Sequence, residues 1–183
     1  MAAANWFRYA YLAYLSRPKS ARQLYRLVKR QRVRRIVEVG VSDVAFTVSL
    51  IAVAQRFAGD HKVTYSGLDC FDARPNLASP LKLKDAYRTL HSTGASVRLV
   101  PGSPAASLAV VANAHQNTDL ILIAADVTAE ELQSAWFYVP RMLHHQSVIL
   151  REQQSSGGVR SFEWLSLSQV AEWAGRAGGR RAA

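Results

Sequence analysis

The stretch from residue 35 to residue 72 constrains the fold more than any other part of the chain. It holds two short apolar runs, separated by a glycine turn and a helix-compatible segment. Residues 36–39 predict a buried strand that breaks at Gly40, residues 45–57 predict a helix, and residues 63–69 predict a second strand. A strand, a helix and a strand of these lengths form one βαβ unit.

Gly40 and Asp69 end the two predicted strands, at the edge of the sheet where α/β proteins bind ligands. A glycine lets the backbone approach a ligand closely, and the N-terminus of the following helix offers free N–H groups. A carboxylate at the end of the second strand can accept hydrogen bonds from two ribose hydroxyls. The unit is therefore typical of a site for a ribose-containing ligand.

The alternation of strands and helices continues along the chain. Further helices are predicted at 81–93, 104–114, 129–143 and about 167–174, and further strands at 95–100, 120–124 and 147–150. Together with the first unit, five strand–helix repeats predict an α/β fold. We expect a Rossmann-like, doubly wound and mainly parallel sheet with helices on both faces, preceded by two N-terminal helices.

The net positive charge arises from the start of the chain. Residues 1–35 hold ten of the 23 Lys and Arg residues and no acid, so residues 36–183 are neutral and the net charge of +10 belongs to the first segment. Two helices are predicted in that segment, at 4–15 and 18–31. We therefore divide the chain into a basic helical N-terminal extension (1–35) and a single globular Rossmann-like domain (36–183).

The second N-terminal helix is amphipathic. Its apolar face carries Ala21, Leu24, Tyr25 and Val28, and its basic face carries Arg22, Arg26, Lys29 and Arg30. We expect the apolar face to pack on the domain and the basic face to point outward. A basic face on a neutral domain suits an anionic partner such as nucleic acid, acidic lipid or another protein, although a merely solvated face explains the same pattern.

The first N-terminal helix is rich in aromatic residues: Trp6, Phe7, Tyr9, Tyr11 and Tyr14. We expect these side chains to pack on the domain. A substrate entrance and a membrane surface are the alternatives.

Residues 38–41 (EVGV) and residues 67–69 (GLD) resemble motif I and the acidic end of the second strand of class I S-adenosylmethionine-dependent methyltransferases. The resemblance extends to about Glu152. It implies S-adenosyl-L-methionine as the cofactor, with Asp69 holding the ribose. The implied cofactor-binding residues are Glu38, Gly40, Val41, Ser42, Asp43, Asp69, Cys70, Gly102 and Ser103. Ser103 is equally well placed to be the N-cap of the helix that follows it.

Asp126 closes the fourth predicted strand. Small-molecule O-methyltransferases of this family often have an acid at this place, and some use it to bind magnesium. One carboxylate does not make a magnesium site, so we predict no metal. Asp126 is our candidate catalytic base, and a cap of the helix at 129–143 is the alternative. His144 is a second candidate base, and we interpret the His144–His145 pair as a loop at the end of that helix.

Cysteine content and hydropathy indicate the cellular setting of the protein. Cys70 is the only cysteine, which excludes an internal disulfide and a cysteine-built metal site and favours a reducing, cytoplasmic setting. No apolar run approaches the length of about 18 residues that a spanning helix needs.

These observations predict an S-adenosylmethionine-dependent methyltransferase of the small-molecule O-methyltransferase type, with an unidentified acceptor. The alternative is a catalytically degenerate relative that acts as a binding or scaffold module. Ser42 and Val44 stand where the family usually has further glycines, and the usual antiparallel hairpin after the fifth strand has little room. In that alternative, residues 1–35 contact nucleic acid or another polyanion.

Overall fold

A computed structural model describes residues 2–74, 81–154 and 160–179. Seven α-helices and six β-strands alternate along these residues. The strands are β1 (Arg35–Val39), β2 (Thr64–Asp69), β3 (Ser96–Pro101), β4 (Leu120–Ile123), β5 (Val148–Gln154) and β6 (Arg160–Leu165). The helices are α1 (Ala2–Ala10), α2 (Lys19–Gln31), α3 (Val44–Phe57), α4 (Leu83–His91), α5 (Pro104–Val111), α6 (Ala129–Ala135) and α7 (Leu167–Gly179). A π-helical turn (Tyr11–Leu15) continues α1, and 3-10 turns cover Phe71–Ala73 and Val139–Met142.

The six strands form one sheet in the order β3-β2-β1-β4-β5-β6. The first five strands are parallel, and β6 runs antiparallel beside β5. Val37 of β1 is paired with Ser66 on one side and with Ile121 on the other, so β1 lies in the middle of the sheet. The strand order reverses between β1 and β4, which makes their carboxyl ends the topological switch point of the fold. The predicted Rossmann-like sheet is confirmed.

Side chains of the central strands alternate between two hydrophobic cores, as the pleat of a strand requires. Ile36 lies in the core beneath α2, α3 and α4, whereas Val37 and Val39 lie in the core beneath α5, α6 and α7. Both faces of the sheet are therefore covered by helices, which explains why β4 (LILI) is a continuous apolar run.

The amphipathic helix α2 belongs to the first core. Leu24, Tyr25, Leu27 and Val28 are all at most 4% exposed. Arg26, Lys29 and Arg30 are exposed, as the spacing predicted, whereas Arg22 is half-buried. The helix ends at Gln31. Its C-cap, Arg32, takes the left-handed conformation (φ 50°) that commonly closes a helix.

Helix α1 packs on the body through a narrow face. Tyr9 is 5% exposed and lies edge-on to Phe57, with 4.7 Å between the ring centroids. The other aromatic side chains are each more than half exposed: Trp6, Phe7, Tyr11 and Tyr14. The expectation that all five aromatics pack on the body is therefore wrong for four of them. No helix in the described part of the chain is long and apolar enough to cross a membrane.

The C-terminal part of the chain forms more structure than its polar composition predicted. β5 extends to Gln154 and pairs with a sixth strand, and α7 extends to Gly179. The expectation that an antiparallel hairpin has little room is therefore wrong. The pairing is stabilised by Arg160, whose Nε lies 2.6 Å from Glu152 Oε1. Residues 155–159, between the two strands, lie outside the described residues.

Helix α6 is shorter than predicted, because it ends at Ala135 rather than at residue 143. A proline in a helix lacks the N–H donor, and its ring collides with the carbonyl four residues before it. For Pro140, that carbonyl belongs to Trp136, which directly follows the last residue of α6. The chain then continues as the 3-10 turn Val139–Met142.

Candidate functional site

A cleft of about 270 Å³ lies at the switch point, at the carboxyl ends of the first four strands. It is lined by five of the ten residues predicted as site residues: Gly40, Asp69, Cys70, Gly102 and Asp126. They follow four different strands, and the parallel sheet brings them to one edge. The structure thus assembles half of the predicted set at the place where α/β proteins bind ligands.

Gly40 is required by the fold itself. Its φ of +82° lies in the region that L side chains rarely adopt. A Cβ atom at this position would lie 2.7 Å from Val127 Cγ2 and 2.8 Å from Ala124 Cβ. Its N–H donates to the carbonyl of Leu68 at 2.7 Å, so this donor is already used. The glycine therefore lets the turn after β1 pack against the loop after β4.

Asp69 ends β2 and is 6% exposed. Its Oδ1 accepts a hydrogen bond from Arg74, whereas its Oδ2 has no hydrogen-bond partner among the described residues. An unsatisfied buried charged oxygen costs about 1–3 kcal/mol or more, so it calls for an explanation. Asp69 lines the cleft, so a ligand hydroxyl that reaches Oδ2 would satisfy it.

Arg74 is the residue of the cleft that sequence reasoning missed. Its Nε lies 2.7 Å from Asp69 Oδ1, its Nη1 lies 2.7 Å from Asp126 Oδ2, and its Nη2 donates to the Val41 carbonyl at 3.3 Å. Desolvation by burial lowers the pKa of Arg74. The hydrogen bonds and negative charges of Asp69 and Asp126 raise it by a larger amount, so the pKa lies above its ordinary value. The only signal in the sequence was its place in the loop after β2.

Asp126 projects into the cleft from the loop after β4, with 48% of its side chain exposed. It does not cap α6, so that alternative is wrong. The cap is Thr128, whose Oγ1 accepts from Glu131 N at 3.2 Å, while Glu131 Oε2 accepts from Thr128 N at 2.8 Å. This reciprocal capping box satisfies the start of the helix and leaves Asp126 available to the cleft.

Glu38 lies below the cleft, inside the protein. Its Oε2 accepts hydrogen bonds from Thr47 Oγ1 at 2.9 Å and from Tyr65 OH at 2.7 Å. Burial raises the pKa of Glu38 to about 7, and these two hydrogen bonds only partly offset the rise. The carboxyl group therefore links β1 to α3 and β2, and it supports the loop after β1 from within.

The remaining predicted residues surround the cleft without lining it. Asp43 is the N-cap of α3, because its Oδ1 accepts from Phe46 N at 3.0 Å. Ser103 is the N-cap of α5. Val41 is fully buried and offers its carbonyl to the cleft arginine, whereas Ser42 is exposed.

His144 lies at the opposite edge of the sheet. Its Nε2 is 3.2 Å from Oδ1 of Asp119, the residue that precedes β4. The structure therefore places this candidate base away from the cleft. Within the ranges that the structure describes, no group of three or more His, Cys, Asp or Glu side chains is arranged to hold a metal ion.

The chain is similar to solved structures over nearly its whole length. It is 24% identical to cofactor-bound Rv0187 from MTB, with a TM-score of 0.53 over 98% of this chain and 76% of that one. It is 13% identical to the O-methyltransferase TomG from Streptomyces achromogenes, with a TM-score of 0.55 over 99% of this chain and 77% of that one.

A third similar structure is the O-methyltransferase from Bacillus cereus, at 19% identity and a TM-score of 0.55 over 98% of this chain and 76% of that one. No protein-family model matches the chain, and no curated protein sequence matches it significantly. The chain therefore has the fold of the class I S-adenosylmethionine-dependent methyltransferases, as the residues of its first βαβ unit indicated.

Proposed function

We propose that the protein is an S-adenosylmethionine-dependent methyltransferase that acts on a small-molecule hydroxyl. The observation that carries the proposal is the unpartnered Oδ2 of Asp69 in the switch-point cleft. TomG and the Bacillus cereus enzyme, which share the fold, were solved with SAM and SAH respectively. We include a reducing, cytoplasmic compartment in this proposal, because Cys70 is the only cysteine in the sequence.

The residues of the cleft fit the cofactor's nucleoside. Asp69 would accept hydrogen bonds from the ribose hydroxyls, and Gly102, which lines the cleft after β3, would border the base. Glu38 supports the turn that contains Gly40 by its bonds to α3 and β2. When bound, the cofactor supplies an activated methyl group on its sulfonium sulfur.

The remaining task of the chain is to align an acceptor and to remove its proton. Asp126 is the proposed base, since nearly half of its side chain is exposed and no helix cap competes for it. Its Oδ2 already accepts from Arg74 Nη1, so Oδ1 is the atom that receives the proton of the acceptor hydroxyl.

The alternative function is a methyltransferase-fold binding module without the cofactor, and Arg74 favours it. The guanidinium bridges Asp69, the proposed ribose acceptor, and Asp126, the proposed base, and it also donates to the Val41 carbonyl. The cleft of about 270 Å³ is also slightly below the range of about 300–1,000 Å³ that is usual for ligand sites.

Calorimetric titration with S-adenosylhomocysteine separates the two functions. The methyltransferase proposal expects binding by the wild type and a loss of at least tenfold in affinity for Asp69→Asn, which keeps the shape of the side chain. Asp85→Asn on α4 removes one exposed carboxylate away from the cleft and serves as the matched control. Absence of binding by the wild type at millimolar ligand would discard the methyltransferase proposal and leave the binding module.

A further inference from the structure

A second concave surface, here called the basic groove, lies at the opposite edge of the sheet from the cleft. Its volume is about 920 Å³. It runs between the end of α2, the turn that leads into β1, and the turn from Ala58 to His61 before β2. Because these segments precede strands, the groove is at the amino ends of the parallel strands and shares no residue with the cleft.

The groove is strongly positive. Six cationic side chains line it: Arg26, Lys29, Arg30, Arg32, Arg34 and Arg56. Asp60 is the single carboxylate among its lining residues, all of which lie in the described ranges. None of the six cations forms a salt bridge with a carboxylate of a described residue. Like charges placed together without counter-charges repel one another, and an anion in the groove relieves that repulsion.

Helix ends account for part of this charge, because cations near a helix C-terminus interact favourably with the helix dipole. Lys29 and Arg30 lie in the last turn of α2, and Arg56 lies in the last turn of α3. Arg26 lies about one turn earlier, and Arg34 lies beyond the helix. Helix stabilisation alone therefore does not explain why the cations converge on one groove.

Aromatic rings accompany the cations. Lys29 Nζ lies 5.1 Å from the centroid of Tyr9 and 5.3 Å from that of Phe57, so these two rings form a floor beneath the charge. Tyr14 lines the groove and is 56% exposed, with Arg26 Cζ 6.0 Å from its ring centroid. A cationic groove with an exposed ring is the combination that binds a phosphate backbone and a stacked base.

We propose that the basic groove binds single-stranded nucleic acid, with the cations along the phosphates and Tyr14 against a base. Its concave shape suits an extended strand, whereas a lipid surface is flat. Arg22, which the sequence placed on the same basic face, does not line the groove, because its guanidinium donates to the Leu15 and Ser16 carbonyls. The proposal is independent of methyl transfer, since the two sites occupy opposite edges of the sheet.

The first test measures the anisotropy of a dye-labelled oligothymidylate of about 15 nucleotides on the full chain at several salt concentrations. The double variant Arg30→Gln/Arg56→Gln removes one charge from each wall of the groove. Each lost phosphate contact lowers the slope of log affinity against log salt by about 0.7, so we expect a decrease of about 1.4 and roughly tenfold weaker binding. Lys82→Gln/Lys84→Gln removes the same charge from exposed positions at the start of α4 and should change neither quantity.

The second test asks whether bases are recognised. Tyr14→Ala should weaken oligothymidylate binding roughly fivefold or more and leave inorganic polyphosphate binding unchanged, because only the nucleotide stacks. Tyr87→Ala, at an exposed tyrosine of α4, is the matched control. Equal effects of the two charge variants, equal binding of polyphosphate and oligonucleotide, or preferential capture by phosphatidylserine vesicles would each overturn the proposal.

Discussion

Arg74 controls the cleft at the scale of a single residue. A nucleoside whose hydroxyls use both oxygens of Asp69 competes with Arg74 Nε for Oδ1. A hydrogen bond to a charged group is worth about 1.5–3 kcal/mol. A variant that lacks the bond from Arg74 to Asp69 should therefore bind the ligand more tightly. We therefore expect Arg74→Ala to tighten S-adenosylhomocysteine binding roughly tenfold in calorimetry. Arg88→Ala, which removes an exposed guanidinium on α4, should have no effect. Weaker binding by Arg74→Ala would show instead that the guanidinium holds the ligand.

Glu38 makes stability depend on pH. Its folded-state pKa of about 7 lies above its ordinary value of 4.5, so the folded protein binds this proton more tightly than the unfolded chain does. The resulting stability is fully present below pH 4.5 and is lost as the pH rises through 7. Between pH 5 and pH 8 the loss from this group is about 2–3 kcal/mol.

Glu38→Gln tests this dependence, because a neutral amide oxygen can accept the same bonds from Thr47 and Tyr65. Urea unfolding at the two pH values should show a fall in stability that is smaller in the variant by about 2–3 kcal/mol. Glu130→Gln, an exposed residue in the first turn of α6, should retain the wild-type fall. An unchanged fall in Glu38→Gln would contradict the assignment of the titration to this carboxyl group.

At the scale of the element, Arg160 joins the β5–β6 hairpin to the rest of the fold. Its Nη2 reaches Asp43 Oδ2 at 3.2 Å, its Nε reaches Glu152 at 2.6 Å, and its Cζ lies 4.3 Å from the Phe46 ring centroid. Removing the guanidinium leaves Glu152, whose side chain is 9% exposed, without its partner. We expect Arg160→Ala to lower the free energy of unfolding by about 2–3 kcal/mol.

Arg176→Ala is the control for that prediction, because it breaks an ion pair with Glu172 on the exposed face of α7. Exposed pairs contribute about 0–1 kcal/mol, so this loss should be small. Equal losses in the two variants, measured by urea unfolding, would mean that Arg160 is no more than a surface arginine.

The hairpin also shows where sequence patterns stop being informative. The first βαβ unit was predictable because its strands are buried on both faces and its turn needs the glycine at Gly40. β6 was not predictable, because most of its residues are exposed or half-buried and it contains no continuous apolar run. Gly40, Asp69 and Asp126 followed from the ends of predicted strands, and Cys70 and Gly102 followed from the family resemblance. Arg74 followed from neither, since a loop arginine carries no periodicity. Its role depends on Asp69 and Asp126, which only the folded sheet brings together.

At the scale of the whole molecule, the domain boundary at residue 35 remains a prediction, drawn from the distribution of charge. The packing of α2 indicates how removal of residues 1–35 would affect stability. Leu24, Tyr25, Leu27 and Val28 are buried in the core beneath α2, α3 and α4. Each buried side chain of this kind contributes about 1.5–3 kcal/mol, and the total stability of a domain is about 5–15 kcal/mol.

We therefore expect the fragment 36–183 to lose cooperative unfolding and to bind a hydrophobic dye. The fragment 17–183 keeps α2 and removes α1 with its π-helical turn, whose outward aromatics are exposed, so it should still unfold in one transition. Thermal unfolding followed by circular dichroism distinguishes these outcomes. If 36–183 unfolds cooperatively near the midpoint of the full chain, the first 35 residues are an appendage. If it does not, the basic groove and the cleft belong to one folding unit, and a loss of α2 removes both.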